Sequence, residues 1–183
     1  MAPGPDRVYV DGTVGLGGHA GALLEAGAGR VLGIDRDERA LEIARERLAG
    51  FGDRVELVHA DYRQLPDVLA GKGLGSVQGV LVDLGVSSLQ LDDASRGFSF
   101  RQAGPLDMRM DRSSGETLAE KLTAVSEAEL ADVIYGFGEE RKSRRVARAI
   151  VEARDRGALA SSKGSTSLWK RRSACSFRKD ALP

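Results

Sequence analysis

Four short runs rich in valine and leucine, VYV, RVLGID, RVELVHAD and GVLVDLG, each end near an aspartate and a turn signal. Their apolar residues are continuous rather than alternating with polar ones, so they read as strands buried on both faces, at residues 8–10, 31–34, 55–58 and 79–82. Helical patterns separate them. DERALEIARERLAGFG sets Ala40, Leu41, Ala44 and Leu48 on one side among charges and stops at Gly50 and Gly52. GHAGALLEAGA is a shorter helix before Gly27 and Gly29, and YRQLPDVLAGKG is a weaker one interrupted by Pro66. Strand, turn, helix and strand repeated in this way predict a doubly wound parallel α/β sheet. Such sheets bind ligands outside the carboxyl ends of their strands, where strand order reverses. Asp11, Asp35, Asp61 and Asp83 follow the four strands and should all face that crevice. A single aspartate there is ordinarily a helix cap or turn residue. Four in equivalent places point to a site.

The first turn narrows the ligand. VYVDGTVGLGGHAGALL places five glycines where a strand hands over to a helix. A glycine costs about 0.5–1 kcal/mol against alanine inside an element, so the cluster needs a tight turn or a close approach of backbone to ligand. Gly15, Gly17 and Gly18 give G-x-G-G-H-A-G rather than the G-x-G-x-x-G of a dinucleotide fingerprint, and the absence of G-K-[ST] excludes a P-loop nucleotidase. Asp35, 24 positions after Asp11, is placed to accept hydrogen bonds from a ribose diol, a role common to NAD and S-adenosylmethionine. NAD also requires donors for a diphosphate. The amino-acid end of S-adenosylmethionine can instead use an acidic residue such as Asp11 together with glycine backbone, and Asp61 in HAD adds an acidic group near the adenine position. S-adenosylmethionine is the better reading.

Beyond Gly85 the character changes. The stretch 86–112 has no sustained period and is too long for an ordinary connection, which suggests a lid or substrate loop. Helices resume at 117–122, 127–135 and 141–154, with Ser126 and Glu129 spaced as a capping box. In the last helix Arg141, Arg144, Arg145 and Arg148 surround a stripe of Val146, Ala149 and Ile150; they suit phosphate contacts, or form a solvated face. The 183 residues carry no net charge, but 157–183 holds six basic residues and one acidic, leaving the rest at −5. A basic tail can be an RNA-binding arm or simply a solvated segment, and its composition is that of disorder. The single cysteine, Cys175, excludes an internal disulfide framework and a clustered cysteine metal site, so no metal is expected. No run of 18 apolar residues and no signal peptide is present, so a membrane or secreted role has no support.

Together, DGTVGLGGHA, GIDRDERAL, LVDLGVSSLQLDD, RGFSF, GPLDMRMD and GFGEERKSRRVARAIV resemble the bacterial 16S ribosomal RNA cytosine-N4 methyltransferase family, also called MraW, over roughly residues 8–156. The resemblance implies a Rossmann-like class I methyltransferase sheet with an inserted helical region. It also implies S-adenosylmethionine as cofactor, and N4 methylation, in the cytoplasm, of a decoding-centre cytidine in 16S rRNA of the small ribosomal subunit. By position the family's cofactor residues fall on Gly17, Gly18, His19, Asp35, Tyr62, Asp83 and Gln90. Tyr62 stands where phenylalanine is common, and Leu89 where proline is usual. The division expected is a cofactor-binding part at 1–112, the start of a helical recognition insertion at 113–156, and the basic tail at 157–183.

The chemistry suits these positions. The exocyclic amine of cytosine is a poor nucleophile because its lone pair is delocalised into the ring, so it must be held against the sulfonium methyl while its N–H finds an acceptor. Asp83, with backbone carbonyls near Gly85, is the candidate acceptor, and Ser87 and Ser88 are candidates for positioning the base edge. Many amino-methyltransferases carry Asp-Pro-Pro-Tyr here, whereas this chain has Asp83-Leu84-Gly85-Val86. The aromatic that stacks on the base must then come from elsewhere, Phe98 or Phe100, unless these merely anchor their loop. His19 reads as a helix-start residue touching cofactor backbone rather than an acid, because a sulfonium leaving group needs no proton.

Members of the family begin with a helix carrying a His-x-Pro-Val-type segment and continue into further sheet strands. The expectation here is a truncated or frame-shifted chain whose strands order 3-2-1-4, with strand four an open edge that invites self-association. A catalytically inactive cofactor- or RNA-binding remnant is the alternative. A small-molecule methyltransferase is disfavoured, since the 86–112 loop and the arginine helix suit a large substrate.

Overall fold

The computed structural model describes residues 2–99 and 101–159. It falls into two compact units, the first built from residues up to Ser87 with Met110–Ser113, the second from Ser88–Arg109 and the residues from Ser114 on. The sequence reading places a boundary after 112 instead. Of the tail at 157–183, residues from 160 lie outside the described part, as does Phe100.

The first unit holds β1 (Val8–Asp11), α1 (Gly18–Glu25), β2 (Arg30–Asp35), α2 (Glu38–Leu48), β3 (Val55–His59), α3 (Leu65–Gly71) and β4 (Gly79–Leu81). The strands form one parallel sheet in the order β3-β2-β1-β4, as expected. Tyr9 faces Val31 on one side and Gly79 on the other. Side chains alternate between the two faces of a strand, and each face finds its own cover. Tyr9 and Val31 pack with Ala20 and Leu24 of α1 and Leu41, Ala44 and Leu48 of α2. Val10, Leu32 and Ile34 turn the other way, onto Leu65, Val68 and Leu69 of α3. Each such fully buried side chain contributes about 1.5–3 kcal/mol, which fastens the sheet between its two helical layers. The direction of chain progression reverses between β1 and β4, and the carboxyl ends of the strands there open the crevice in which such sheets bind ligands.

Two expectations are corrected. Pro66 does not interrupt a helix: it occupies the first turn of α3, where its missing N–H is no loss and its fixed φ favours the helical start. The 86–112 stretch is not without elements, since it contains α4 (Ser88–Asp92) and a single 3-10 turn at Ala94–Arg96.

In the second unit, α5 (Leu118–Ala124), α6 (Glu127–Gly138) and α7 (Ser143–Asp155) enclose Leu122, Leu130, Ala131 and Ala147, flanked by Ile134, Ile150 and Val151. Ser126 caps α6 in the expected box with Glu129, and Thr117 caps α5 in the same way with Glu120. The loop before α5 is tied down by polar contacts. Arg109 grips Asp107 through Nε at 2.7 Å and Nη2 at 3.1 Å, Arg96 donates to the Arg109 carbonyl at 3.0 Å, and the Asp107 carbonyl receives the Leu118 amide at 2.8 Å.

Candidate functional site

The glycine turn after β1 is a compact backbone cradle. The Val14 amide reaches the Ile34 carbonyl at 2.9 Å and the Gly17 amide closes on Val14 at 2.8 Å, so the turn doubles back over the end of β2. Gly15 (φ 50°) and Gly17 (φ 81°) lie in the left-handed region. A Cβ on Gly17 would stand 2.9 Å from a methyl of Leu48, so this glycine also allows α1 to approach α2. Asp35 holds the turn from outside: one carboxylate oxygen accepts the Gly15 amide at 2.8 Å, the other the Asp37 amide at 2.9 Å. The sequence reading missed this strap, whose partners are twenty residues apart.

Beneath the turn sits Asp11, with no exposed surface. Its Oδ1 accepts the Thr13 amide at 3.3 Å, and its Oδ2 is buried with no hydrogen-bond partner. Burial pushes its pKa up, and the backbone amides of Thr13 and Ala20 oppose this in part. An unsatisfied buried polar atom costs about 1–3 kcal/mol or more when charged, so the fold retains a group that a donor would relieve. The adjacent helix start is similarly open. Gly17 caps α1 with no side chain, and Gly18 and His19 at its first turn are exposed. A helix N-terminus of this kind presents unpaired amides and favours negative charge.

Around this centre the other strand ends differ. Past β4 the chain is exposed, and the Asp83 amide donates to Thr13 Oγ1 at 2.8 Å, which ties the strand-four exit to the glycine turn. Tyr62 is 36% exposed and lies beside Gly12, where an added Cβ would stand 3.4 Å from the Tyr62 Cβ. Asp61 is already engaged: Arg63 forks onto both oxygens at 2.9 and 2.8 Å, which lowers its pKa to about 2, and it caps the turn at Tyr62–Gln64. Arg36 lies 3.6 Å from the same carboxylate. Asp11, Asp35, Asp61, Asp83 and the glycines therefore meet at one end of one sheet.

The remaining candidates fall differently. Ser87 ends the first unit and Ser88 begins the second. In the second unit Gln90 is buried in α4, Arg141 is exposed in the turn before α7, and Arg144, Arg145 and Arg148 are exposed along its first half. Phe98 is also buried there, 9% exposed, which corrects its reading as a base-stacking ring: a ring without a free face serves as an anchor of its loop.

The MraW methylase family model matches residues 1–179, wider than the stretch that carried the resemblance. Curated relatives agree. The ribosomal RNA small subunit methyltransferase H of Sorangium cellulosum is 57% identical over 159 residues, covering 87% of this chain and 50% of the relative. That of Cereibacter sphaeroides is 56% identical over 83% of this chain and 44% of its own. The corresponding protein of Parafrankia is 56% identical over 82% and 46%. The chain thus spans about half the length of the curated relatives it matches.

Proposed function

The chain belongs to the MraW methylase family, and from that premise we propose that it binds S-adenosylmethionine at the carboxyl ends of β1 and β2 for methylation of N4 of a cytidine in 16S rRNA, in the cytoplasm. The observation that carries the cofactor is the buried Asp11 carboxylate, whose Oδ2 makes no hydrogen bond of full geometry and has only the Ala20 amide nearby besides that of Thr13. An ammonium group is the donor such an oxygen lacks, and the amino-acid end of S-adenosylmethionine has one. A diphosphate in the same place would meet an uncompensated carboxylate, which weighs against NAD. The amides around Gly17, Gly18 and His19 suit the cofactor's own carboxylate. Each Asp35 oxygen accepts one backbone amide and has a lone pair left for a ribose hydroxyl. Asp61 suits the adenine end by its place after β3, and by the family resemblance Tyr62 and Gln90 would be further cofactor contacts.

Bound there, S-adenosylmethionine supplies a methyl made electrophilic by its sulfonium. The protein's part is to hold the amine and accept its N–H, through Asp83 and the carbonyls about Gly85, with Ser87 and Ser88 at the base edge. Exposed arginines on α7 suit phosphates of the small-subunit RNA. Among the described residues no helix is long and apolar enough to cross a membrane.

The test is tritiated-methyl transfer from S-adenosylmethionine to 30S subunits lacking this modification, with Asp83→Ala as the blank. Asp83 lies two residues beyond β4, which pairs only with β1 among the described strands. A displacement of about 1 Å there costs on the order of a hundredfold in rate, so Asp83→Ala is expected to lose at least that much of the transfer. Transfer left unchanged by Asp83→Ala would contradict the role given to this carboxylate. No binding of cofactor would contradict the reading altogether.

A further inference from the structure

The pairing of β1 with β4 gives out just before the residue that the proposed reaction needs. Its register ends at Asp11 and Leu81, and the Gly12 amide closes on the Leu81 carbonyl at 2.8 Å. Two residues on, the Asp83 amide turns the same way, as backbone groups two apart along an extended chain do. By then β1 has passed into the glycine turn, and the acceptor is a side chain: Thr13 Oγ1 receives the Asp83 amide at 2.8 Å. Residues 82–86 are all exposed, so packing does little to fix them. Thr13 also reaches the other way, its own amide donating to Asp11 Oδ1 at 3.3 Å.

One residue thus stands between the carboxylate read as the cofactor's anchor and the carboxylate read as the amine's acceptor, and it serves them with separable parts. The amide that meets Asp11 is backbone and survives any substitution except proline. The oxygen that meets Asp83 is side chain. We propose that Thr13 is a positioning residue for methyl transfer, its hydroxyl setting Asp83 at a fixed reach from the turn that seats the cofactor. This rests on the reading of Asp83 as the acceptor of the amine's N–H, and adds the residue that couples its placement to the cofactor turn. The bond serves placement rather than folding, because water takes over an amide at an exposed position when its partner is removed.

Thr13→Val keeps the branched shape and the backbone amide and deletes the acceptor. In the 183-residue chain it should slow tritiated-methyl transfer to 30S subunits lacking the modification about ten- to a hundredfold, the cost of a misplaced reacting group. The calorimetric affinity for S-adenosylmethionine and the melting temperature should stay at the parent's values, the pattern of an interaction felt in the transition state and not in binding. Thr13→Ser, which keeps the hydroxyl, should recover most of the rate. In the nitrogen-15-labelled proteins the Asp83 amide should exchange with solvent faster in Thr13→Val than in the parent or in Thr13→Ser. Transfer unchanged by Thr13→Val, a loss of cofactor affinity in step with the loss of rate, or a Thr13→Ser variant as slow as Thr13→Val would overturn the positioning role while leaving the reading of Asp83 intact. A parent that transfers no methyl would overturn that reading and the positioning role with it.

Discussion

A carboxylate removed from water with one oxygen unpaired is disfavoured as an anion, and Asp11 is in that condition. Its pKa in the fold lies above the ordinary 3.8, so charge at this position costs stability above that pH, and the cost is relieved as pH falls through the raised value. Asp11→Asn removes the charge. The ligand-free variant should melt no lower than the parent at pH 7, while the rise in melting temperature on adding S-adenosylmethionine is lost; a lower melting temperature would contradict the view that this group is kept for binding. Asp61 has the opposite sign. Arg63 lowers its pKa from 3.8 to about 2, so its contribution is present above about 3.8 and is lost as pH falls from there through about 2. Asp61→Asn should therefore flatten the acid limb of a pH–stability profile between those values, modestly, since Arg63 is 74% exposed. At this scale the position of Asp35 was legible because it ends a strand. Its hold on the Gly15 amide was not, because nothing in the local pattern reports a contact between residues of different turns.

Elements were legible where a period or a cap spoke. α2, α6 and α7 carry apolar stripes, and Ser126 with Glu129 announces the start of α6. Thr117 and Glu120 have the same spacing, and Thr117→Ala should cost about 1 kcal/mol in urea unfolding by removing the hydroxyl that accepts the Glu120 amide and donates to the Glu120 carboxylate. α4 spans five residues, too few for a period to declare itself. The loop that follows is ordered by the Asp107–Arg109 pair and by backbone reached from Arg96, contacts that exist only in space. Gly17 joins element to site. Alanine there must adopt φ 81° and displace Leu48, so Gly17→Ala should destabilise by about 1–2 kcal/mol from backbone strain alone. It should also weaken cofactor binding; unchanged urea unfolding would show that the turn relaxes freely.

The order of the sheet, β3-β2-β1-β4, is the one the family resemblance implied, and its parallel pairing followed from strands joined by helices. The division into two units did not. Residues 110–113 return to the first unit through Met110, whose sulfur meets Arg36 at 2.7 Å, and Asp111, 3.8 Å from His59, and neither contact has a sequence signature. At the sheet's margin Val80 and Val82 are each 42% exposed along β4 and just past its end. Among the described strands β4 has no partner on its outer side; an edge with apolar flanks pairs readily with another strand, and we expect the 183-residue chain to self-associate with concentration in sedimentation velocity, less so with Val80→Lys. The glycine turn, which we propose as the seat of the cofactor, lies inside the sheet between β1 and β2, strapped by Asp35 and joined through Thr13 to the Asp83 amide past β4. Calorimetry of the 183-residue chain with S-adenosylmethionine tests this most directly. The prediction is one site per chain, weakened by roughly 1.5–3 kcal/mol in Asp35→Ala, where a charge-assisted ribose contact is removed, and lost in Asp11→Asn. No heat of binding from the parent, or equal affinities in all three proteins, would contradict it.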